Sequence, residues 1–123
     1  MVTVPSFILR RLYVKGSLRN TAEGIQFSLC NKLGAGYARK LMPIIINGEP
    51  AAIEQSYFYS DGARHTFQDV SDGTPFSLAL NKTTVISIEG HTLGTGPQTI
   101  GMSFEVPGLG MLKFDFTDVV TDG

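Results

Sequence analysis

Apolar and polar residues alternate with a period of two along most of the chain. In the clearest run, one side carries Ile25, Phe27, Leu29 and Leu33. The residues between them are Gln26, Ser28, Cys30 and Lys32. The same alternation recurs over residues 100–106 and 112–116, on either side of Pro107-Gly108-Leu109-Gly110. These patterns predict half-buried strands, and the last two form a hairpin whose connection is longer than two residues.

Turn signals separate further strand-like runs. Asn47-Gly48 follows three isoleucines, and Asp61-Gly62 lies between two aromatic-rich runs. Both dipeptides tolerate the positive φ angles of tight hairpin turns. More strands are predicted over residues 85–88 and 7–14, and no segment of 11 or more residues has helical periodicity. About seven to nine strands predict an all-β fold, an antiparallel β-sandwich or jelly roll with little or no helix.

Length and charge refine this picture. The 123 residues fit one domain, here expected to span residues 1–123. Residues 1–40 hold seven basic residues and one acidic residue, a net of +6, whereas residues 41–123 hold three basic and ten acidic residues, a net of −7. Opposite charges on neighbouring strands of one molecule favour such a distribution. A basic surface that meets an acidic partner is the alternative.

Several protein classes are disfavoured. No stretch approaches the roughly 20 apolar residues of a membrane helix, and Arg10 and Arg11 follow the first apolar run, whereas a signal peptide places its positive charge first. With Cys30 as the single cysteine, no intramolecular disulfide is possible. We therefore expect a cytoplasmic protein that does not bind membranes. The charged fraction of 17% is below the usual 25% or so, which favours an oligomer or complex.

Catalytic motifs are absent from the sequence. His65 and His91 are isolated, and there is no nucleophile elbow, phosphate loop or dinucleotide fingerprint. The isoelectric point of about 6.1 and the lack of an aromatic-rich basic motif predict no nucleic-acid binding. The sequence therefore assigns no catalytic residue, metal ligand or cofactor to this chain, and catalysis by the chain alone is not expected.

Two short polar segments are candidates for binding. The first is Gly36-Tyr37-Ala38-Arg39-Lys40 and the second is Gly62-Ala63-Arg64-His65. If the fold brings them together, Tyr37, Arg39, Arg64 and His65 form a rim suited to hydroxyl or carboxylate groups of a substrate, or to a partner. Solvated loops with no binding role are the alternative.

The order of several short segments resembles the small β-subunit of C-glycoside deglycosidases. These segments are Ser17-Leu18-Arg19-Asn20, Gly24-Ile25-Gln26-Phe27-Ser28-Leu29, Tyr37-Ala38-Arg39, Ile44-Ile45-Ile46-Asn47-Gly48-Glu49 and Gly62-Ala63-Arg64-His65-Thr66-Phe67. The resemblance implies a β-sandwich that associates with a larger barrel-type catalytic subunit of the sugar-isomerase type. That partner would hold the divalent metal, and the pair would cleave the carbon–carbon bond between an oxidised sugar and an aromatic aglycone. This chain would then be an accessory, non-catalytic or site-completing subunit of a carbohydrate lyase complex.

Residues 5–20 are also similar to short prokaryotic proteins labelled hydroxymethylglutaryl-CoA reductase. A reductase of that name is several times longer and needs a nicotinamide-binding region, so we expect this label to be an error. The alternative function is a stand-alone β-sandwich that self-assembles into a homo-oligomer or binds a small ligand without enzyme activity.

Overall fold

A computed structural model describes residues 4–60 and 62–121. In this part of the chain there is one short helix, α1 (Ser6–Leu9), and there are 3₁₀ turns at Arg10–Leu12, Ile53–Gln55 and Phe67–Asp69. The strands are β1 (Arg19–Asn20), β2 (Gly24–Cys30), β3 (Gly36–Ala38), β4 (Lys40–Leu41), β5 (Ile45–Ile46), β6 (Glu49–Pro50), β7 (Ser56–Ser60), β8 (Ala63–Thr66), β9 (Phe76–Leu78), β10 (Thr83–Glu89), β11 (Pro97–Val106) and β12 (Gly110–Val119).

These strands form two main antiparallel sheets and one small one. The first sheet has the order β1-β2-β10-β7-β8, and the second has the order β12-β11-β5-β6, with β4 also paired to β11. Strands β3 and β9 pair separately. The predicted all-β sandwich with little helix is confirmed. The strands outnumber the prediction because β1, β4, β5 and β6 are only two residues long.

The two main sheets pack face to face around one apolar core. Phe27 on β2 meets Phe116 on β12 with ring centroids 5.2 Å apart. The predicted alternation is confirmed in β2, where Ile25, Phe27 and Leu29 are fully buried and the residues between them are half-buried. Leu33 departs from the prediction, because β2 ends at Cys30 and Leu33 lies in the following loop. Its side chain is exposed.

The structure confirms the turns predicted at residues 47–48 and between β11 and β12. Val106 and Gly110 are opposite each other in the β11–β12 hairpin, so three residues connect the strands. Asn47 and Gly48 both have positive φ, at 50° and 88°, as a type I′ turn requires. The β7–β8 hairpin also forms, although Asp61 of its predicted turn lies outside the described residues.

The strand predicted over residues 7–14 is wrong for residues 7–12, which form α1 and the 3₁₀ turn after it, whereas Tyr13 makes an isolated antiparallel bridge to Leu29. The carbonyl of Pro5 accepts hydrogen bonds from the backbone amides of Ile8 and Leu9, which starts the helix. Leu9 and Leu12 are three positions apart and both are buried, as on one face of a helix. A short apolar run does not reveal by periodicity alone whether it is a strand or a buried helix.

Residues 4–60 and 62–121 contain no helix with the length and apolar character needed to span a membrane.

Candidate functional site

Tyr37 and Arg39 lie on and beside β3. Tyr37 is opposite Ser77 of β9, and its side chain is 46% exposed. Arg39 is tied to β11, because its Nε donates to Oε2 of Glu105 at 2.6 Å and its backbone amide donates to the Glu105 carbonyl at 2.9 Å. The hydrogen bond to this carboxylate raises the pKa of Arg39. The guanidinium is therefore already engaged by a neighbouring strand.

Arg64 and His65 are adjacent on β8, so their side chains leave opposite faces of the first sheet. The Arg64 guanidinium lies 3.6 Å from the centroid of the Tyr57 ring and 3.6 Å from a carboxylate oxygen of Glu89. The His65 ring stacks on buried Phe58, with centroids 5.0 Å apart. These two side chains therefore do not face a common site.

Across residues 4–60 and 62–121, no hydrogen bond or ion pair joins Tyr37 or Arg39 to Arg64 or His65. Tyr37 and Arg39 thus lie on and beside β3, Arg64 and His65 lie on β8, and the two pairs make no such contact with each other in the described part of the chain. Their role in binding a substrate or partner stays a prediction.

Ion pairs within the molecule offset part of the uneven charge distribution. Arg10 pairs with Asp115 at 3.3 Å, and Arg39 pairs with Glu105 at 2.6 Å. Both pairs join the basic first 40 residues to an acidic residue of the last two strands, as the first interpretation of the charge distribution predicts. Exposed pairs of this kind contribute little to stability, because water and salt screen the charges.

An apolar cavity of about 390 Å³ lies between the N-terminal segment, the segment from Leu33 to Ala38, and the β11–β12 hairpin. We call it the apolar cavity. Its wall includes Ile8, Leu12, Phe76, Leu78, Phe104 and Leu109. It lies within the usual size range of ligand pockets, about 300–1,000 Å³. Tyr37 is the one predicted rim residue that contributes to this wall.

Asn31 fixes the loop at the edge of the apolar cavity. Its side chain is buried, and its amide nitrogen donates to the carbonyls of Gly34 at 2.7 Å and Leu78 at 2.9 Å. Its amide oxygen accepts from the backbone amides of Leu33 at 3.0 Å and Gly34 at 3.3 Å. These four bonds use both donors and both acceptor lone pairs of the side chain. Asn31 therefore has no hydrogen-bonding capacity left for a ligand.

The sequence interpretation missed Asn31. Asn31 lies two positions after buried Leu29, so it continues the side of β2 that faces the core. A polar residue at such a position is the feature of the sequence that could have identified it. An asparagine at such a position needs internal partners, because an unsatisfied buried polar group is costly.

Among the described residues, the wall of the apolar cavity carries no ionisable side chain except the Tyr37 phenol. The described residues also contain no cluster of three or more His, Cys, Asp or Glu side chains able to hold a metal ion. The cavity can bind an apolar group by contact and exclusion of water. It has no carboxylate, imidazole or amine with which to move a proton.

A partly buried network anchors the N-terminal segment to β12. The Tyr13 hydroxyl donates to Oδ2 of Asp118 at 2.8 Å, and the amide of Gly16 donates to the same oxygen at 2.9 Å. The Tyr13 ring stacks on Phe116 with centroids 3.6 Å apart. Burial, together with the bond to Asp118, raises the pKa of Tyr13 to about 12. The amide of Gly16 holds the pKa of Asp118 below its usual value. The network thereby ties the chain just after Leu12, a residue of the cavity wall, to β12.

Fold and site together define a small antiparallel β-sandwich protein with an apolar cavity at the edge of its core. The chain belongs to the family described as Hydroxymethylglutaryl-CoA reductase, N-terminal domain, whose profile matches residues 8–121. The similarity of residues 5–20 to proteins with that label is thus a family relationship, and our expectation that the label is an error is not supported. A search of curated proteins found no match. The resemblance to the C-glycoside deglycosidase small subunit stays a prediction.

Proposed function

We propose that this chain is an accessory subunit of a C-glycoside deglycosidase-like carbohydrate lyase complex in the cytoplasm. It contributes binding contacts that complete a site, while a larger barrel-type partner supplies the reactive groups and the divalent metal. The chain takes no bond-making step by itself.

The observation that carries this proposal is the chemistry of the apolar cavity. Its wall is apolar apart from backbone groups, the Tyr37 phenol and the Asn31 side chain, whose hydrogen bonds are all made within the protein. General acid–base catalysis needs a group with a pKa near the working pH, within hydrogen-bond reach of the reacting atoms. A reaction at this cavity would therefore take its acid and base from a second chain. The segment from Leu33 to Ala38, which carries Tyr37, borders the cavity and could meet that chain.

The family description names a reductase, and a reductase needs a hydride donor. Nicotinamide dinucleotides commonly bind with their pyrophosphate at a helix N-terminus after a glycine-rich turn. Here Gly34-Ala35-Gly36 leads into strand β3, and α1 has only four residues. The described residues do not fit this mode of cofactor binding. We therefore propose no hydride transfer by this chain, and the family description itself refers to one domain.

Purification of the tagged chain from its native host, followed by mass spectrometry, tests the partnership. We expect a barrel-type protein to be recovered with it. The reconstituted pair should cleave an aromatic C-glycoside of an oxidised sugar in the presence of a divalent metal, whereas the chain alone should not. Recovery without any large partner would contradict the proposal. So would consumption of NADPH and hydroxymethylglutaryl-CoA by the chain alone.

A stand-alone ligand-binding protein is the second candidate. It is favoured by the apolar wall of the cavity, which suits an apolar ligand. Light scattering separates the two: a lasting hetero-complex favours the accessory subunit, and a monomer or homo-oligomer that binds ligand favours the second candidate.

A further inference from the structure

We infer that the apolar cavity is a binding site for an uncharged, apolar ring compound about the size of three aromatic rings, which enters past Gly36. This inference does not depend on the proposed partnership, because residues of this chain line the cavity.

The volume of the cavity sets the size of the ligand. An apolar protein cavity of about 150 Å³ accommodates benzene. The apolar cavity here measures about 390 Å³, or roughly two and a half times as much. By this ratio, a compound of about three aromatic rings matches the space. Phe76 and Phe104 in the wall can contact these rings through edge-to-face or offset geometry.

The polarity of the wall sets the charge of the ligand. A buried charge needs a partner of opposite charge, and burial without one is strongly unfavourable. Within residues 4–60 and 62–121, no cationic or anionic side chain lines the apolar cavity. The Asn31 side chain makes four internal hydrogen bonds, so it has no free donor or acceptor for a ligand. A neutral ligand therefore matches the wall better than its carboxylated counterpart does.

Gly36 marks the entrance. It lies two positions before Ala38 on β3, so a side chain at position 36 would leave the same face of the strand as buried Ala38. A Cβ atom built on Gly36 meets no atom within 4 Å, and its φ angle lies outside the left-handed region. Neither packing nor backbone conformation requires glycine there. Its missing side chain leaves the space beside the cavity wall open.

A fluorescence titration with N-phenyl-1-naphthylamine, an uncharged probe that brightens in apolar surroundings, tests the inference on the intact chain. We expect saturable binding of one probe per chain. Neutral 2-naphthol should displace the probe at concentrations at least tenfold lower than 2-naphthoate requires.

The variant Gly36→Phe should weaken probe binding at least tenfold, because the ring occupies the entrance. Gly94→Phe is the matched control, since Gly94 also has open space around its Cβ and a φ outside the left-handed region. It lies in the loop after β10, at the opposite end of the first sheet from residues 31–36. We expect Gly94→Phe to bind like the wild type and both variants to keep the wild-type thermal midpoint.

Three results would overturn the inference: no saturable binding, unchanged binding by folded Gly36→Phe, or equal displacement by 2-naphthol and 2-naphthoate. Each is read from the isolated chain, so it leaves the proposed partnership to its own experiment. Conversely, a chain that binds the probe but recovers no partner would overturn only the proposed function.

Discussion

Replacement of Asn31 by alanine should loosen the loop that borders the apolar cavity. The substitution removes four hydrogen bonds and leaves backbone groups of Leu33, Gly34 and Leu78 without those partners. Three of the bonds are 3.0 Å or shorter, and the bond to the Gly34 amide is longer at 3.3 Å. At about 0.5–1.5 kcal/mol for each good bond, we expect the free energy of unfolding to fall by about 2–4 kcal/mol.

Urea unfolding followed by circular dichroism measures this loss, because the chain has no Trp to serve as a fluorescent probe. Asn20→Ala is the control. Asn20 makes two side-chain bonds to the Leu93 backbone, each 2.9 Å long, at the other end of the first sheet. Because Asn20 is exposed, we expect a loss of about 1 kcal/mol. The Asn31 variant should also bind the naphthyl probe more weakly, whereas the Asn20 variant should not. Equal stability losses below about 0.5 kcal/mol in both variants would refute this account of the loop.

Three further predictions concern the anchor and the packing of the sandwich. Because folding lowers the pKa of Asp118, its stabilising contribution is present above the carboxyl's unfolded pKa and is lost as the pH falls through the lower folded value. Urea midpoints of Asp118→Asn should therefore lie below the wild type at pH 7 and converge with it in acid; a constant difference would contradict this sign. Tyr13→Phe keeps the ring but loses the hydroxyl, so stability should fall by about 1–2 kcal/mol. In an absorbance titration the wild type should show one tyrosine with a pKa of about 12 that this variant lacks, and identical titration curves would be contrary to the burial of the hydroxyl. Gly24→Ala places a Cβ against the backbone of Ile88 and should cost about 1–3 kcal/mol by thermal unfolding, whereas Gly36→Ala should be neutral; equal effects would refute the packing argument.

The sequence predicted the sheets well because alternation and turn chemistry act locally. Residues 25–29 alternate strictly in burial, and Asn47-Gly48 has the backbone angles that its composition favours. The N-terminal segment was mispredicted because residues 7–9 are consecutive apolar residues, a pattern shared by buried helices and strands. Its helix also depends on contacts with β12, more than 100 positions away, such as the hydrogen bond from Arg10 to the Asp115 carbonyl.

The candidate site was harder to predict from the sequence than the sheets were. Arg64 and His65 are neighbours in the chain, but strand geometry sends their side chains to opposite faces. The apolar cavity draws its wall from segments as distant as Ile8, Gly36, Leu78 and Leu112, and no local pattern relates these positions. Only the packing of α1, the small β3–β9 sheet and the β11–β12 hairpin creates the cavity. Tyr37 was identified from its loop composition, whereas Asn31 needed knowledge of the β2 register.

The central claim is that this chain binds without catalysing and that a partner completes the site. The most direct test measures cleavage of an aromatic C-glycoside by the purified chain, by the recovered barrel-type partner, and by the two together. The wild type, Gly36→Phe and the control Gly94→Phe are compared in parallel. We predict turnover only by the pair, reduced by Gly36→Phe and unchanged by Gly94→Phe. Turnover by the isolated chain would contradict the claim.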